Sequence, residues 1–148
     1  MDINLKLKMN WIRVETSPGS PYTFQMEINP HFRLHWNKPA VYRWIILKQA
    51  SADIQRLYIG EAEHLPRRIY GYLHPGPSQR TNQRLKSEFE KEITTGNVIF
   101  LEVLNFTPFT IENITISQED LHNKMVRRFL ENLCTMYYSK AGYTVLNA

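Results

Sequence analysis

The chain contains one cysteine, Cys134, among its 148 residues. An internal disulfide and a zinc site built from several cysteines are therefore excluded, and a cytoplasmic, reducing location is expected. No apolar run approaches the ~20 residues that span a bilayer, and the N-terminal stretch lacks the apolar centre of a signal peptide, so no membrane association is expected. Internal repeats and low-complexity segments are also lacking. The length is that of one domain, and the composition is typical of a globular protein.

Basic residues outnumber acidic ones, 18 to 14, for a formal net charge of +4. The excess is concentrated between residues 64 and 96, which hold six lysines or arginines against three glutamates. A basic stretch of this kind favours a polyanionic partner. An ordinary solvated surface explains the composition equally well, so charge alone leaves both readings open.

Apolar periodicity predicts an α+β fold with a small central, mainly antiparallel sheet flanked by helices. The sheet is expected to consist of a hairpin plus a third strand. Residues 1–39 are expected to form an extra extension resembling a β-hairpin, packed on a main domain at 40–148. The predicted strands are 3–11, the weaker 22–28, the hairpin 41–47 and 56–62 joined across 50–55, and 98–104, with an irregular segment at 31–39.

Three helices are predicted from their start signals. Pro66 suits the first turn of a short helix, and Ser78 suits the N-cap of a second helix that Gly96 ends. Ser117 and Asp120 have the spacing of a capping box before a long final helix that runs to about Lys140. The segment 107–115 between the third strand and this box is predicted as either a loop or an edge strand.

The final helix carries the only acid of the last 28 residues, Glu131. On a helical wheel Glu131 lies nearly opposite the centre of a broad apolar face. One interpretation is a solvated face on which Arg127 and Glu131 form an i,i+4 pair. The other is a carboxylate that faces a site. The wheel does not choose between them. The apolar face consists of Leu121, Met125, Phe129, Leu133 and Tyr137, widened by Val126, Leu130 and Cys134.

Two tyrosine-bearing stretches, Ala40-Val41-Tyr42 and Tyr58-Ile59-Gly60, stand on the two hairpin strands. Together with Arg68, ten residues beyond Tyr58, they resemble the motifs of the GIY-YIG nuclease family, with alanine in place of the first glycine. The resemblance extends over roughly residues 40–147. It adds Tyr72 one helical turn beyond Arg68, Glu131 on a later helix and Asn147 near the end.

The resemblance implies a metal-dependent endonuclease that hydrolyses DNA phosphodiester bonds. It assigns one Mg²⁺ or Mn²⁺ ion per active site to Glu131, an oxygen ligand that such hard cations prefer. Arg68 would stabilise the charge of the transition state. Tyr42 or Tyr58 would accept a proton from the attacking water, with Tyr42 the preferred base. Tyr72 would hydrogen-bond within the site, and Asn147 would orient a neighbour. Glu61 departs from the family, because some members have a lysine there.

Double-stranded DNA is the expected partner, and the chain is expected to act alone, as a homodimer or with an accessory protein. Two other functions stay open: a non-catalytic nucleic-acid-binding module on the same fold, and a protein-interaction domain whose charges are merely solvated. Basic and amide side chains near the motifs are predicted to contact the nucleic acid. They are Arg67, His74, Arg80, Asn82, Arg84, Lys124 and Arg127.

Overall fold

The computed structural model describes residues 1–49 and 51–147, and within them the chain has the predicted α+β fold. None of the helices in these residues combines the length and apolarity needed to cross a bilayer. The strands are β1 (Met9–Arg13), β2 (Glu15–Ser17), β3 (Ser20–Pro21), β4 (Ala40–Leu47), β5 (Ile54–Ala62), β6 (Val98–Phe106), β7 (Phe109–Ile111), β8 (Ile114–Ile116) and β9 (Thr144–Val145). The helices are α1 (Pro30–Trp36), α2 (Leu65–Leu73), α3 (Arg80–Thr94) and α4 (Lys124–Lys140).

The main sheet has five strands in the order β1-β6-β4-β5-β9. All neighbours are antiparallel except β5 and β9, which are parallel. The central strand β4 reads Ala-Val-Tyr-Arg-Trp-Ile-Ile-Leu, and all eight of its residues are buried. A strand with so few polar side chains requires cover on both faces of the sheet, and the fold provides it.

The two faces of the sheet support two hydrophobic cores, because successive side chains of β4 point to opposite sides. Tyr42 and Trp44 belong to the first core, which α2 and α3 cover together with Phe32 of α1. Val41 and Ile45 belong to the second core, which α4 covers with Leu130 and Cys134. The N-terminal region thus shares a sheet and a core with the rest of the chain.

The hairpin and the third strand are confirmed, as β4 with β5 and as β6. Residue 50, the first of the predicted connection 50–55, lies outside the described residues. Residue 148, the last of the predicted domain 40–148, also lies outside them. The segment 107–115 forms most of a small hairpin, β7 with β8. The first strand is shorter and later than the predicted 3–11, because only the part after residue 8 reaches the edge of β6.

Two N-terminal predictions are wrong. Residues 22–28 form no strand beyond one bridge between Thr23 and Phe100, because their aromatic side chains are buried in the first core instead. Residues 31–39 are not irregular, because they contain most of α1. Asn29 caps that helix by accepting a bond from the Phe32 N–H at 2.9 Å, and Pro30 opens it. The Asn29-Pro30 pair was interpreted as the end of a strand, but asparagine at the N-cap and proline in the first turn are equally typical of a helix start.

The helix starts also differ from prediction. The N-cap of α3 is Gln79, not Ser78, and its carboxamide accepts from the Gly76 N–H at 2.9 Å. The capping box forms, with the Ser117 N–H donating to Asp120 Oδ2 at 2.7 Å, but it opens a short 3₁₀ helix (Gln118–His122). The long helix α4 begins one turn later, with its own N-cap.

Candidate active site

The register of β4 and β5 places Tyr42 directly opposite Gly60. A Cβ at Gly60 would lie 2.5 Å from Cζ and 3.0 Å from Cε1 of Tyr42. Real Cβ atoms do not approach a ring that closely. Position 60 therefore requires glycine because any side chain would collide with the Tyr42 ring, and not because of its backbone conformation. The absence of a side chain lets that ring lie across the neighbouring strand.

Tyr72 of α2 joins the two strand tyrosines. Its hydroxyl lies 2.5 Å from the Tyr42 hydroxyl, and its ring packs edge-on against Tyr42, Trp44 and Tyr58, with ring centroids 5.7–6.4 Å apart. Tyr58 lies diagonally across from Tyr42 on the same face of the sheet, because Trp44 is its direct partner. Three phenol groups therefore meet where β4, β5 and α2 come together.

Burial distinguishes the three tyrosines. It raises the pKa of Tyr42 and of Tyr72 well above the ordinary value, and both side chains are about 1% exposed. Burial raises the pKa of Tyr58 as well, but that side chain is only half-buried. The Tyr72 hydroxyl and the cations Arg68 and Arg84 counteract part of this effect by lowering the pKa of Tyr58. Tyr58 is thus the phenol that both solvent and positive charge can reach.

Arg68 lies one helical turn before Tyr72 on α2, so both side chains leave the helix on the same side. The Arg68 guanidinium is exposed and lowers the pKa of Tyr42, Tyr58 and Tyr72. It also borders a groove of about 330 Å³ that Arg67 and Asn82 line. Positive charge is therefore present both at the phenols and along an adjoining open groove.

Helix α4 is rotated relative to the prediction made from its apolar pattern. Its sheet-facing side carries Leu130 and Cys134, whereas Met125 and Tyr137 of the predicted core face are mostly exposed. This rotation turns Glu131 away from open solvent. Burial raises the pKa of the Glu131 carboxyl, the nearby Glu61 adds to that effect, and Arg68 opposes it.

Glu131 is also close enough to raise the pKa of Tyr42 and Tyr58, although no hydrogen bond joins its carboxylate to either hydroxyl among the described residues. The predicted catalytic side chains Tyr42, Tyr58 and Tyr72 thus form one cluster, and Arg68 and Glu131 lie near enough to act on its phenols electrostatically. The carboxylate accepts no hydrogen bond from the side chains described, and hydrated divalent cations favour such an oxygen donor. Glu131 thus offers one oxygen ligand of the kind that Mg²⁺ or Mn²⁺ prefers.

Arg127 does not lie on the surface, so its predicted role as a nucleic-acid contact is wrong. Only 3% of the residue is exposed, and its Nε donates to Glu61 Oε2 at 2.6 Å. Its Nη1 donates to the carbonyls of Leu121 and His122, at 2.9 and 3.2 Å. The interpretation of Arg127 and Glu131 as a solvated pair is wrong for the same reason, because the partner of Arg127 is Glu61.

Asn147 holds the C-terminal segment against β5. Its side chain accepts from the Ile59 N–H at 3.0 Å and donates to the Ile59 carbonyl at 2.6 Å. Both bonds fix the backbone between Tyr58 and Gly60. Asn147 therefore positions the strand on which Tyr58 stands.

The remaining predicted nucleic-acid contacts are spread around the site and stay predictions. Arg84 lies near the Tyr58 phenol and donates to the Leu146 carbonyl at 3.5 Å. His74 contacts Glu27 at 3.1 Å, whereas Arg80 and Lys124 are exposed.

Sequence reasoning missed Arg128, which lowers the pKa of Glu131. Its position three residues before the only acid of the helix was the available signal. The interpretation of the sequence also treated Glu61 only as a departure from the family. Strand alternation places Glu61 on the face opposite that of Gly60, where α4 packs. That placement was available from the sequence.

Replacing Gly60 with alanine is expected to lower the free energy of unfolding by about 1–3 kcal/mol, because the new methyl group displaces the Tyr42 ring and its bond to Tyr72. Urea unfolding followed by circular dichroism measures the change. Gly76→Ala is the matched control, since the nearest atom to its added Cβ is 3.8 Å away. Equal stability of the two variants would contradict the steric role of Gly60.

Comparisons of the chain with protein-family models, with curated proteins and with solved structures found no match.

Proposed function

We propose that this protein is an endonuclease of the GIY-YIG type that hydrolyses DNA phosphodiester bonds with the help of one divalent cation. The observation that carries the proposal is a cluster of three phenol groups with an exposed guanidinium and a carboxylate near enough to act on it. Tyr42 and Tyr72 are in direct contact there, and Arg68 acts electrostatically on all three phenols and on Glu131. A cluster of tyrosines that only packed together in the core would need neither the arginine nor the carboxylate beside it.

Each charged group suits a step of phosphodiester hydrolysis. The exposed planar guanidinium of Arg68 binds the scissile phosphate and stabilises the charge that grows on its oxygens. Glu131 would hold Mg²⁺ or Mn²⁺, and the bound cation would supply Lewis-acid polarisation of the phosphate. The groove lined by Arg67 and Asn82 continues from Arg68 and accommodates the neighbouring backbone of the DNA.

We assign the role of proton acceptor to Tyr58 in preference to Tyr42. A general base must reach the attacking water. The Tyr42 side chain is 1% exposed and its hydroxyl contacts Tyr72, whereas the Tyr58 side chain is half-buried and close to Arg68 and Arg84. Tyr42 and Tyr72 then form the support that keeps Tyr58 in place. This reverses the preference for Tyr42 that the sequence suggested.

Tyr58→Phe is expected to lower the single-turnover rate of plasmid nicking in Mg²⁺ by about 10²–10⁴-fold, the usual contribution of a general base. The wild-type rate is expected to rise by about tenfold per pH unit between pH 7 and 9. The reason is that burial raises the pKa of Tyr58 above its ordinary value of 10.0, so the deprotonated fraction is still growing there. In Tyr58→Phe this slope should disappear.

Tyr42→Phe is the matched comparison, since it removes a buried hydroxyl from the same cluster. It is expected to lower the rate by about tenfold and to keep the pH slope. If Tyr42→Phe instead loses both the rate and the slope while Tyr58→Phe keeps them, Tyr42 is the base.

The decisive test of the function is nicking of supercoiled plasmid by the wild-type chain in Mg²⁺, Mn²⁺ and EDTA. Nicking in the first two conditions and none in the third supports the proposal. Salt-sensitive DNA binding without nicking would instead favour a non-catalytic nucleic-acid-binding module. Absence of both binding and nicking would favour a protein-interaction domain.

A further inference from the structure

Helix α4 has two apolar faces, and only one of them is covered. Leu130 and Cys134 face the sheet and are fully buried. A second face lies about 120° away on the helical wheel and points outward. Met125 is 79% exposed, Tyr137 58% and Met136 53%. This outer face consists of Met125, Phe129, Leu133, Met136 and Tyr137, and all but Met136 belong to the apolar face predicted from the sequence.

The outer face continues onto the N-terminal segment. Leu133 and Tyr137 form one wall of an apolar groove of about 500 Å³, and Leu5, Leu7 and Met9 belong to the opposite wall. Met9 is the first residue of β1. The exposed apolar surface of α4 therefore adjoins the N-terminal segment and the first residue of β1.

That edge is open. β1 is the outermost strand on its side of the five-stranded sheet, and no other described strand pairs with its free edge. The strand presents backbone N–H and C=O groups to solvent and carries one charged residue, Arg13, and an exposed Ile12. Edge strands usually carry more charges, a proline or a bulge that prevent pairing with another chain.

We propose that the outer face of α4 and the free edge of β1 together form the interface of a homodimer. A second copy related by a two-fold axis brings β1 antiparallel to its own copy, because this operation makes a strand complementary to itself. The same axis packs the outer face of each α4 against the N-terminal segment or the α4 of its partner. Each copy then gains backbone pairing and apolar cover at once.

The exposed apolar area of this surface can be compared with the area that a stable dimer interface buries. A large side chain buries about 150–250 Å² when it is fully covered. From their exposed fractions, the outer-face and groove side chains Met125, Phe129, Met136, Tyr137, Leu5 and Met9 present on the order of 600 Å², to which the exposed backbone of the β1 edge adds. A stable interface buries about 800 Å² on each partner, whereas the largest apolar patch of a typical monomer is about 300–600 Å².

Sedimentation velocity of the full chain between about 5 and 100 µM tests the dimer independently of any nuclease activity. The wild-type chain is expected to sediment as a dimer. Met136→Glu should raise the dissociation constant by at least about a hundredfold, since it places a charge in the centre of the apolar interface. Both chains should have the same melting temperature in dilute solution, where both are monomeric.

Leu34→Glu is the matched control, because Leu34 is an apolar residue on α1 that is 81% exposed and lies outside the outer face. It should leave the dimer intact. A wild-type chain that stays monomeric at 100 µM overturns the proposal, and so does equal dissociation by Leu34→Glu and Met136→Glu. Amide hydrogen exchange tests the strand pairing: amides of β1 should exchange more slowly in the wild-type dimer than in Met136→Glu, and equal rates exclude β1 from the interface.

Discussion

Glu131→Gln is expected to lower Mg²⁺-dependent nicking of plasmid by at least about a thousandfold. Among the described residues, no side chain forms a hydrogen bond or salt bridge with this carboxylate, so none has to be displaced by a cation. Polarisation of a phosphate by a bound cation contributes several kcal/mol to the transition state, and each 1.36 kcal/mol corresponds to about tenfold in rate. Glutamine has the same shape but lacks the charge that holds the cation.

The same substitution should stabilise the protein in EDTA at pH 7. Burial and the charge of Glu61 raise the pKa of Glu131 above its ordinary value of 4.5. The folded state therefore binds the proton more tightly than the unfolded state, and the stability that this provides is lost as the pH rises through the folded pKa. The melting temperature of Glu131→Gln should exceed that of the wild type at pH 7, and the difference should vanish near pH 4.

Cation binding provides a readout that does not depend on nicking. Adding Mg²⁺ should raise the melting temperature of the wild-type chain, because a ligand that binds only the folded state stabilises it. It should leave Glu131→Gln unchanged. Glu90→Gln on the exposed surface of α3 is the matched control and should behave like the wild type in every assay. Nicking by Glu131→Gln at the wild-type rate would remove this residue from the mechanism.

Much of the candidate active site could be predicted because it depends on local geometry. Period-two alternation in β4 and β5 places Tyr42, Tyr58 and Gly60 on one face, and helical spacing places Arg68 and Tyr72 on one side of α2. These relations hold whatever the rest of the fold does. The hairpin was predicted for the same reason, since an apolar run with a polar gap is a strong signal.

The orientation of α4 could not be predicted because it depends on a long-range partner. The broad apolar face of the helical wheel spans two arcs, and Arg127 next to Leu130 and Cys134 counts as polar, so the arc of these two residues looks like the margin of the face. The partner of Arg127, Glu61, lies 66 residues earlier in the chain. Only the folded chain brings the two charges together, in the same helix orientation that places Glu131 near the phenols. If the outer face forms a dimer, both arcs are core surfaces, and the pattern was ambiguous for a physical reason.

Arg127→Met is expected to lower the free energy of unfolding by about 3–5 kcal/mol, the usual cost of removing one partner from a buried ion pair. Arg127 is 3% exposed and binds the Glu61 carboxylate and two backbone carbonyls of the 3₁₀ helix. Methionine replaces the bulk of the side chain. It leaves the carboxylate without a counter-charge and the carbonyls without a donor.

A double-mutant cycle separates the pair from simple loss of packing. Glu61→Gln removes the buried charge, so the double variant Arg127→Met with Glu61→Gln should recover a large part of the loss, with a coupling of about 1–3 kcal/mol. Urea unfolding of the four proteins at pH 7 measures it. Arg13→Met is the matched control, because its contact with Glu102 is longer, at 3.3 Å, and its side chain is 42% exposed. It should cost about 1 kcal/mol or less.

The cycle also tests how the candidate active site is assembled. If the Arg127–Glu61 pair sets the rotation of α4, the double variant should fold stably yet lose nicking activity, because Glu131 is then no longer held at the edge of the phenol cluster. Full activity in a stable double variant would mean that the apolar contacts of Leu130 and Cys134 are sufficient to orient the helix. Additive destabilisation with no coupling would show that the two charges do not depend on each other.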